Sequence, residues 1–173
     1  MSATATPAAP PFPSAVCTAV RESAVAFFET ACGLTAVEAT DPPPAAPAAA
    51  VTGMISFVGD HSWSLALVLP EPAAEAVAKA FAGFDIPFDG PDMGDLVGEM
   101  ANVMAGDIVA RLAAVGVAAN MSLPMVVRGH DVELLTRSDA TTTRMGFRTP
   151  GGDLWFRLVK AREFGLAGRR PGT

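Results

Sequence analysis

Between Asp92 and Leu112 the chain reads DMGDLVGEMANVMAGDIVARL, and the chemistry of this stretch separates onto two faces of a helix. At about 100° per residue, Asp95, Glu99, Asn102 and Gly106 stand at i, i+4, i+7 and i+11 and share one face. Leu96, Val97, Met100, Val103, Met104, Ile108 and Leu112 gather opposite them in an apolar arc wide enough to cover a core. The rest of the chain therefore has to support this helix. Gly98, Ala101, Ala105 and Ala110 lie beside the polar row, which predicts a flat surface suited to close approach by another macromolecule. Asp107 and Arg111 narrow the arc in its second half and are spaced for an i, i+4 pair. Gly106 costs up to about 1 kcal/mol relative to Ala inside a helix. Close packing of another backbone or of a partner explains it, and so does a helix break.

A length of 173 residues predicts one domain able to bury its own core, and 50% apolar residues argue against overall disorder. The net charge is −6, with the acids scattered. Only Arg169–Arg170 approaches a basic cluster, so nucleic acid is excluded as a partner. The two cysteines, Cys17 and Cys32, fall fifteen residues apart in one helical pattern, beyond disulfide reach, and read as buried thiols of a reducing compartment. The first residues, MSATATPAAPPFPS, lack the basic and apolar regions of a secretory signal, and no apolar run is long enough to span a membrane. The expectation is a soluble, cytoplasmic protein without membrane contact.

In chain order, residues 1–13 read as a disordered Ala/Pro/Thr-rich tail and residues 14–163 as the domain, with a flexible tail over 164–173. Ser14 is placed to cap a first helix whose stripe is Val16, Val20, Ala24, Phe27 and Phe28, ending at Gly33. Leu34–Ala39 reads as a short strand, and Asp41–Ala50, with three consecutive prolines, as a surface loop. Val51–Val58 and Ser62–Leu69 form a hairpin around Gly59-Asp60; Val51, Gly53, Ile55 and Phe57 share one face, as do Trp63, Leu65, Leu67 and Leu69. A helix opens at Pro70-Glu71-Pro72 and stops before Gly83. After Gly116 come strands over Met121–Arg128, Val132–Leu135, Thr141–Arg148 and Leu154–Lys160, the last two joined by Pro150-Gly151-Gly152-Asp153. Pro124 inside a strand implies an edge or a bulge. The plan is α+β, an antiparallel sheet backed by helices. His61 and His130 read as turn and loop residues without metal or triad spacing, and Met100, Met104, Met121 and Met125 as core filler. No nucleotide-binding glycine motif is present.

The row Asp95-x3-Glu99-x2-Asn102, with Pro124 some twenty residues later in Met121-Ser122-Leu123-Pro124, resembles the CheX branch of the CheC/CheX/FliY chemotaxis phosphatases. The flanks GEMANVMAGD (98–107), SLPMVVRGH (122–130) and the hairpin GMISFVGDHSWSLALVLP (53–70) agree, and FFETACGLTAVEA (27–39) resembles the family's first helix and strand. Homologues of the CheC type often carry a second Glu-x-x-Asn on the first helix; here Glu22 is followed by Val25, and Glu29 by Cys32. One site per chain is therefore expected.

The resemblance implies a CheC/CheX-like fold, a homodimer, and hydrolysis of the aspartyl phosphate of a CheY-like response-regulator receiver in two-component signalling. It implies that Asn102 positions the attacking water and that Glu99 anchors the receiver's lysine. Asp95, one turn earlier, supports them as a carboxylate near the helix N-terminus. No cofactor is expected on this chain, because the receiver brings its own Mg²⁺. The rival reading is a non-catalytic module of the same fold that docks a receiver, motor or scaffold protein. Taken without the resemblance, a solvated helix face holds an Asp, a Glu and an Asn for solubility alone.

Overall fold

Apolar residues at every second position, Val51, Ile55 and Phe57 in one arm and Trp63, Leu65, Leu67 and Leu69 in the other, build the long hairpin at the centre of the molecule, seen in a computed structural model that describes residues 12–40 and 47–160. Its arms are β2 (Ala49–Gly59) and β3 (Trp63–Pro70). The other elements are α1 (Ser14–Ala31), β1 (Val37–Ala39), α2 (Glu71–Ala82), α3 (Asp92–Ala114), β4 (Ala119–Met121), β5 (Met125–His130), β6 (Thr141–Thr149) and β7 (Gly152–Lys160). All pairings are antiparallel, in the order β1-β6-β7-β3-β2-β4, with β5 following β4 along the same side of β2. The α+β plan of a helix-backed antiparallel sheet is therefore the observed one.

Helices α2 and α3 lie on the sheet, and α1 packs against α3. The buried layer between them takes Val51, Ile55 and Phe57 from β2, Leu65, Leu67 and Leu69 from β3, and Met145, Phe147, Leu154, Phe156 and Leu158 from the β6–β7 hairpin. The stripe Val16, Val20, Ala24, Phe27 and Phe28 of α1 is buried as its spacing requires. Gly83 closes α2 in the left-handed region (φ 83°), where its N–H donates to the Lys79 carbonyl at 2.8 Å. A smaller cluster, Ala50, Ala66, Val68 and Trp155, lies apart from this core and is joined by Met54 and Leu134.

Several sequence expectations need correction. Phe12, assigned with residues 1–13 to a disordered tail, is 2% exposed and meets Trp63 edge-on at 6.2 Å. Burying that ring yields about 1.5–3 kcal/mol, enough to offset the entropy of ordering it. Ser14 does not cap α1; Pro13 occupies the cap position, and its carbonyl accepts from the N–H groups of Val16 and Cys17. Ala49 and Ala50, expected in the loop, belong to β2 because β5 pairs with both of them. Val132–Leu135 is not a strand: Arg157 Nη1 takes the Leu134 carbonyl and Nη2 the Thr136 hydroxyl, so a side chain replaces the ladder. Residues 1–11, 41–46 and 161–173, with most of both expected tails and of the proline-rich loop, lie outside the described residues.

Helix α3 is buried over a wider arc than its large apolar residues describe. Gly98, Ala101 and Ala105, expected beside the polar row on an open surface, are buried together with Met93, Val97, Met100, Met104, Ile108 and Leu112. Val103, expected in the arc, is 43% exposed instead. The reason lies in Gly53: a Cβ there would stand 3.0 Å from the Ala101 Cβ and 3.2 Å from a Val97 methyl. Small residues on both elements let the helix seat directly on β2, which turns it toward its small-residue side. Gly53→Val is expected to lose about 1–3 kcal/mol through overpacking, measured as a lower urea midpoint with an unchanged slope.

Candidate functional site

Seating α3 by its small residues leaves the row Asp95, Glu99, Asn102 and Gly106 pointing away from the sheet. Asp95, Glu99 and Gly106 are exposed and Asn102 is half-buried. Neither carboxylate takes part in an ion pair among the described residues, and the Asn102 carboxamide has no side-chain hydrogen bond there. The helix runs unbroken through Gly106, where an added Cβ would meet nothing within 4 Å. Neither a break nor packing among the described residues accounts for that glycine.

Opposite the row stands the irregular step between β4 and β5. Met121 faces Phe57 and Met125 faces Met54, so Ser122, Leu123 and Pro124 span the interval that Ile55 and Ser56 span on β2. Three residues against two make a bulge, at the edge position that Pro124 requires. It is fastened at Ser122 by two bonds to Ser56. The Ser122 N–H donates to the Ser56 carbonyl at 2.9 Å, and the Ser56 N–H donates to Ser122 Oγ at 3.0 Å. Ser122 Oγ donates in turn to the Leu123 carbonyl at 2.8 Å. Helix and bulge together bound a shallow cleft of about 350 Å³, lined by Gly94, Asp95, Gly98, Glu99, Asn102, Leu123, Pro124 and Val126. Pro124 and Val126 lie against Gly98, which keeps the two walls close.

The structure thus brings together on one cleft Asp95, Glu99, Asn102 and the Ser-Leu-Pro segment. Pattern reading missed that Leu123 stands on the rim, although Pro124 was the signal that its strand is interrupted. Other sequence candidates fall elsewhere. His61 sits in the bend after β2; His130 is the last residue of β5 rather than a loop residue, edge-on to Phe88 at 6.1 Å. Met100 and Met104 are core, but Met125 is 63% exposed because the bulge has shifted its strand. Cys17 and Cys32 are free, and burial pushes the Cys32 thiol up to about 11, so it stays protonated and unreactive near neutrality. Asp107 pairs with Arg111 at 2.7 Å as its spacing predicts, and Arg111 also reaches Glu22 of α1 at 2.7 Å. Among the described residues no group of His, Cys, Asp and Glu is placed to hold a metal ion. None of the described helices is long and apolar enough to cross a membrane.

The family model described as "Chemotaxis phosphatase CheX" matches residues 51–148, more than half of the chain, and takes in both walls of the cleft. The chain belongs to the CheX family. Among solved structures, a CheC-like superfamily protein from Shewanella sp. PV-4 aligns over 86% of this CheX-family chain and 98% of its own, with TM-score 0.75 and 21% identity. The chemotaxis protein CheX of Desulfovibrio desulfuricans aligns over 83% and 97%, with TM-score 0.71 and 20% identity. The CheX–CheY–BeF3–Mg²⁺ complex from Borrelia burgdorferi aligns over 86% and 98%, with TM-score 0.69 and 18% identity. At these identities the likeness is one of fold. Among curated proteins none matches the sequence.

The fastening of the bulge is open to a direct check. Ser122→Ala removes the acceptor of the Ser56 N–H while leaving the backbone bond in place. It is expected to cost about 0.5–1.5 kcal/mol and to speed hydrogen exchange at the Ser56 amide, read by NMR.

Proposed function

We propose that this CheX-family protein hydrolyses the aspartyl phosphate of a CheY-like receiver domain. The observation that carries the reading is the pair of exposed Glu99 and half-buried Asn102, without side-chain partners among the described residues, on a helix whose opposite face is locked into the core. The Borrelia burgdorferi complex, in which a CheX is found with CheY, supports the partner class. The demand on this chain is small. An acyl phosphate is already activated, and the receiver's Mg²⁺ and lysine hold the phosphoryl oxygens. A water attacks phosphorus in line, the P–O bond to the aspartyl carbonyl group breaks, and carboxylate and inorganic phosphate leave.

In this reading Asn102 is the catalytic residue. Its carboxamide offers an acceptor and donors to the water without adding negative charge beside the phosphoryl oxygens. Glu99 pairs with the receiver's lysine and so sets the depth to which Asn102 enters. Asp95 adds negative charge at the helix N-terminal end, favourable to the dipole, and supports Glu99. A single site per chain follows from the lack of a second Glu-x-x-Asn on α1; the homodimer is carried with the reading as the family resemblance implies it, and the cytoplasmic location as the sequence expectation. A docking module without hydrolysis accounts for the acid but gives the half-buried carboxamide no task.

Asn102→Ala is expected to retain fold and receiver binding while phosphate release from a receiver charged with acetyl phosphate falls by about a hundredfold or more, as loss of a positioned reactant does. Wild-type turnover in that variant would remove the catalytic role from Asn102, whereas a wild-type protein that leaves the receiver's phosphate loss unchanged would belong to the docking class. Glu99→Ala is expected to weaken binding about tenfold as well as turnover, read by titration calorimetry; unchanged affinity removes the anchoring role.

A further inference from the structure

Leu123 is 87% exposed. A solitary surface leucine needs no explanation, but this one differs in how it is held and where it stands. The two Ser56–Ser122 hydrogen bonds pin the residue before it, Pro124 restricts the residue itself to extended backbone, and its own carbonyl accepts from Ser122 Oγ. The segment is thus pre-organised, so ordering it on contact costs little. Its place is the rim shared by two hollows: the cleft with Glu99 and Asn102, and an apolar groove on the far side lined by Met54, Leu65, Met125, Leu135 and Val159.

On the other side of the polar row, Val103 is 43% exposed. It stands about 100° around the helix from Asn102, on the flank away from the bulge. A surface laid over Glu99 and Asn102 therefore meets an apolar side chain on each side. The cleft itself carries two carboxylates without an ion pair among the described residues, so the complementary surface presents a cation bordered by apolar area.

We propose that Leu123 is a docking contact and specificity determinant for the receiver, seated in an apolar depression beside the receiver's cation and acting through binding rather than chemistry. The inference rests on the reading of the site as a receiver-phosphatase centre. It assigns to the bulge the choice among receivers, since every receiver carries the same phosphorylation chemistry and differs in the surface around it. Leu123 and Val103 would exclude water at the border of the contact while the polar groups fix its centre.

The test uses the full chain and purified receiver domains of the same organism. The receivers are charged with beryllofluoride and Mg²⁺ for binding and with acetyl phosphate for turnover. For the receiver that the wild-type protein binds, Leu123→Ser is expected to weaken binding and raise KM about tenfold while kcat at saturation stays within about twofold. Leu123→Met should restore both. Because the side chain is exposed, the thermal midpoint should not move. Equal binding by Leu123→Ser, or a fall in kcat at unchanged KM, overturns the proposal. Asn102→Ala serves as the separating control: should it keep turnover, the catalytic reading falls while Leu123 is still judged on binding to the beryllofluoride receiver.

Discussion

The seating of α3 on β2 through Gly53 is the contact on which the rest of the arrangement depends. With no side chain at Gly53, Val97 and Ala101 come down against the strand backbone, and the rotation of the helix about its own axis is set by that approach. A helix held by one broad stripe of leucines has latitude to roll; one held also by the small residues Gly98, Ala101 and Ala105 does not. The polar row is outward because the opposite and adjacent sides are both taken. Strand β2 has a second part in this, since Ser56, three residues on, fastens the bulge that forms the facing wall. One strand thus aligns both halves of the cleft.

Charge contributes less to this scaffold than packing does. The Arg111 guanidinium joins Asp107 and Glu22, but the three side chains are partly exposed, and exposed pairs of this kind contribute little each. The hydrogen bond that Arg111 donates to Asp107 raises its pKa above the ordinary value, which leaves its charge state unchanged across the whole working pH range. The buried link between α1 and α3 is instead neutral: Ser23 Oγ donates to the Met104 carbonyl at 3.1 Å, inside the layer formed by Phe27, Phe28 and Met104. Among the described residues no charged side chain is buried, so their acidic groups are left to the surface and to the cleft.

What was legible in the sequence, and what was not, divides along a physical line. Period-2 alternation in Val51–Phe57 and Trp63–Leu69, and the spacing of Val16 to Phe28, report burial on one face of an element, and each led to the observed core. The polar row was legible for the same reason. The orientation of α3 was not, because small residues carry no hydrophobic signal: Gly98, Ala101 and Ala105 look like open surface until Gly53 is known to lie beneath them. Phe12 escaped because a single aromatic amid Ala and Pro makes no pattern, and Val132–Leu135 misled because its apolar residues adjoin the sheet without joining its ladder. Pro124 was informative about interruption, yet the register offset between β4 and β5 belongs to the pairing and not to any one residue. Leu123 at the rim follows only from that offset.

The same division bears on chemistry. The cleft is shallow, and its described lining holds two carboxylates, a carboxamide and no cation, so on its own that lining is a poor place for hydrolysis: none of those residues brings positive charge to a phosphoryl group. A partner that already carries the cation, the metal and the labile bond removes that deficiency, and what is then asked of this chain is rigidity, one oriented water and a fit. An acid in place of Asn102 would bring negative charge toward an anionic phosphoryl group. A flexible loop in place of α3 would leave the water unplaced. The structure answers the second demand with a helix fixed from several sides, and the sequence answers the first with the neutral member of the row. The activity proposed here is accordingly a property of two surfaces together, which is why its residues line an open, shallow cleft and not the bottom of a deep pocket.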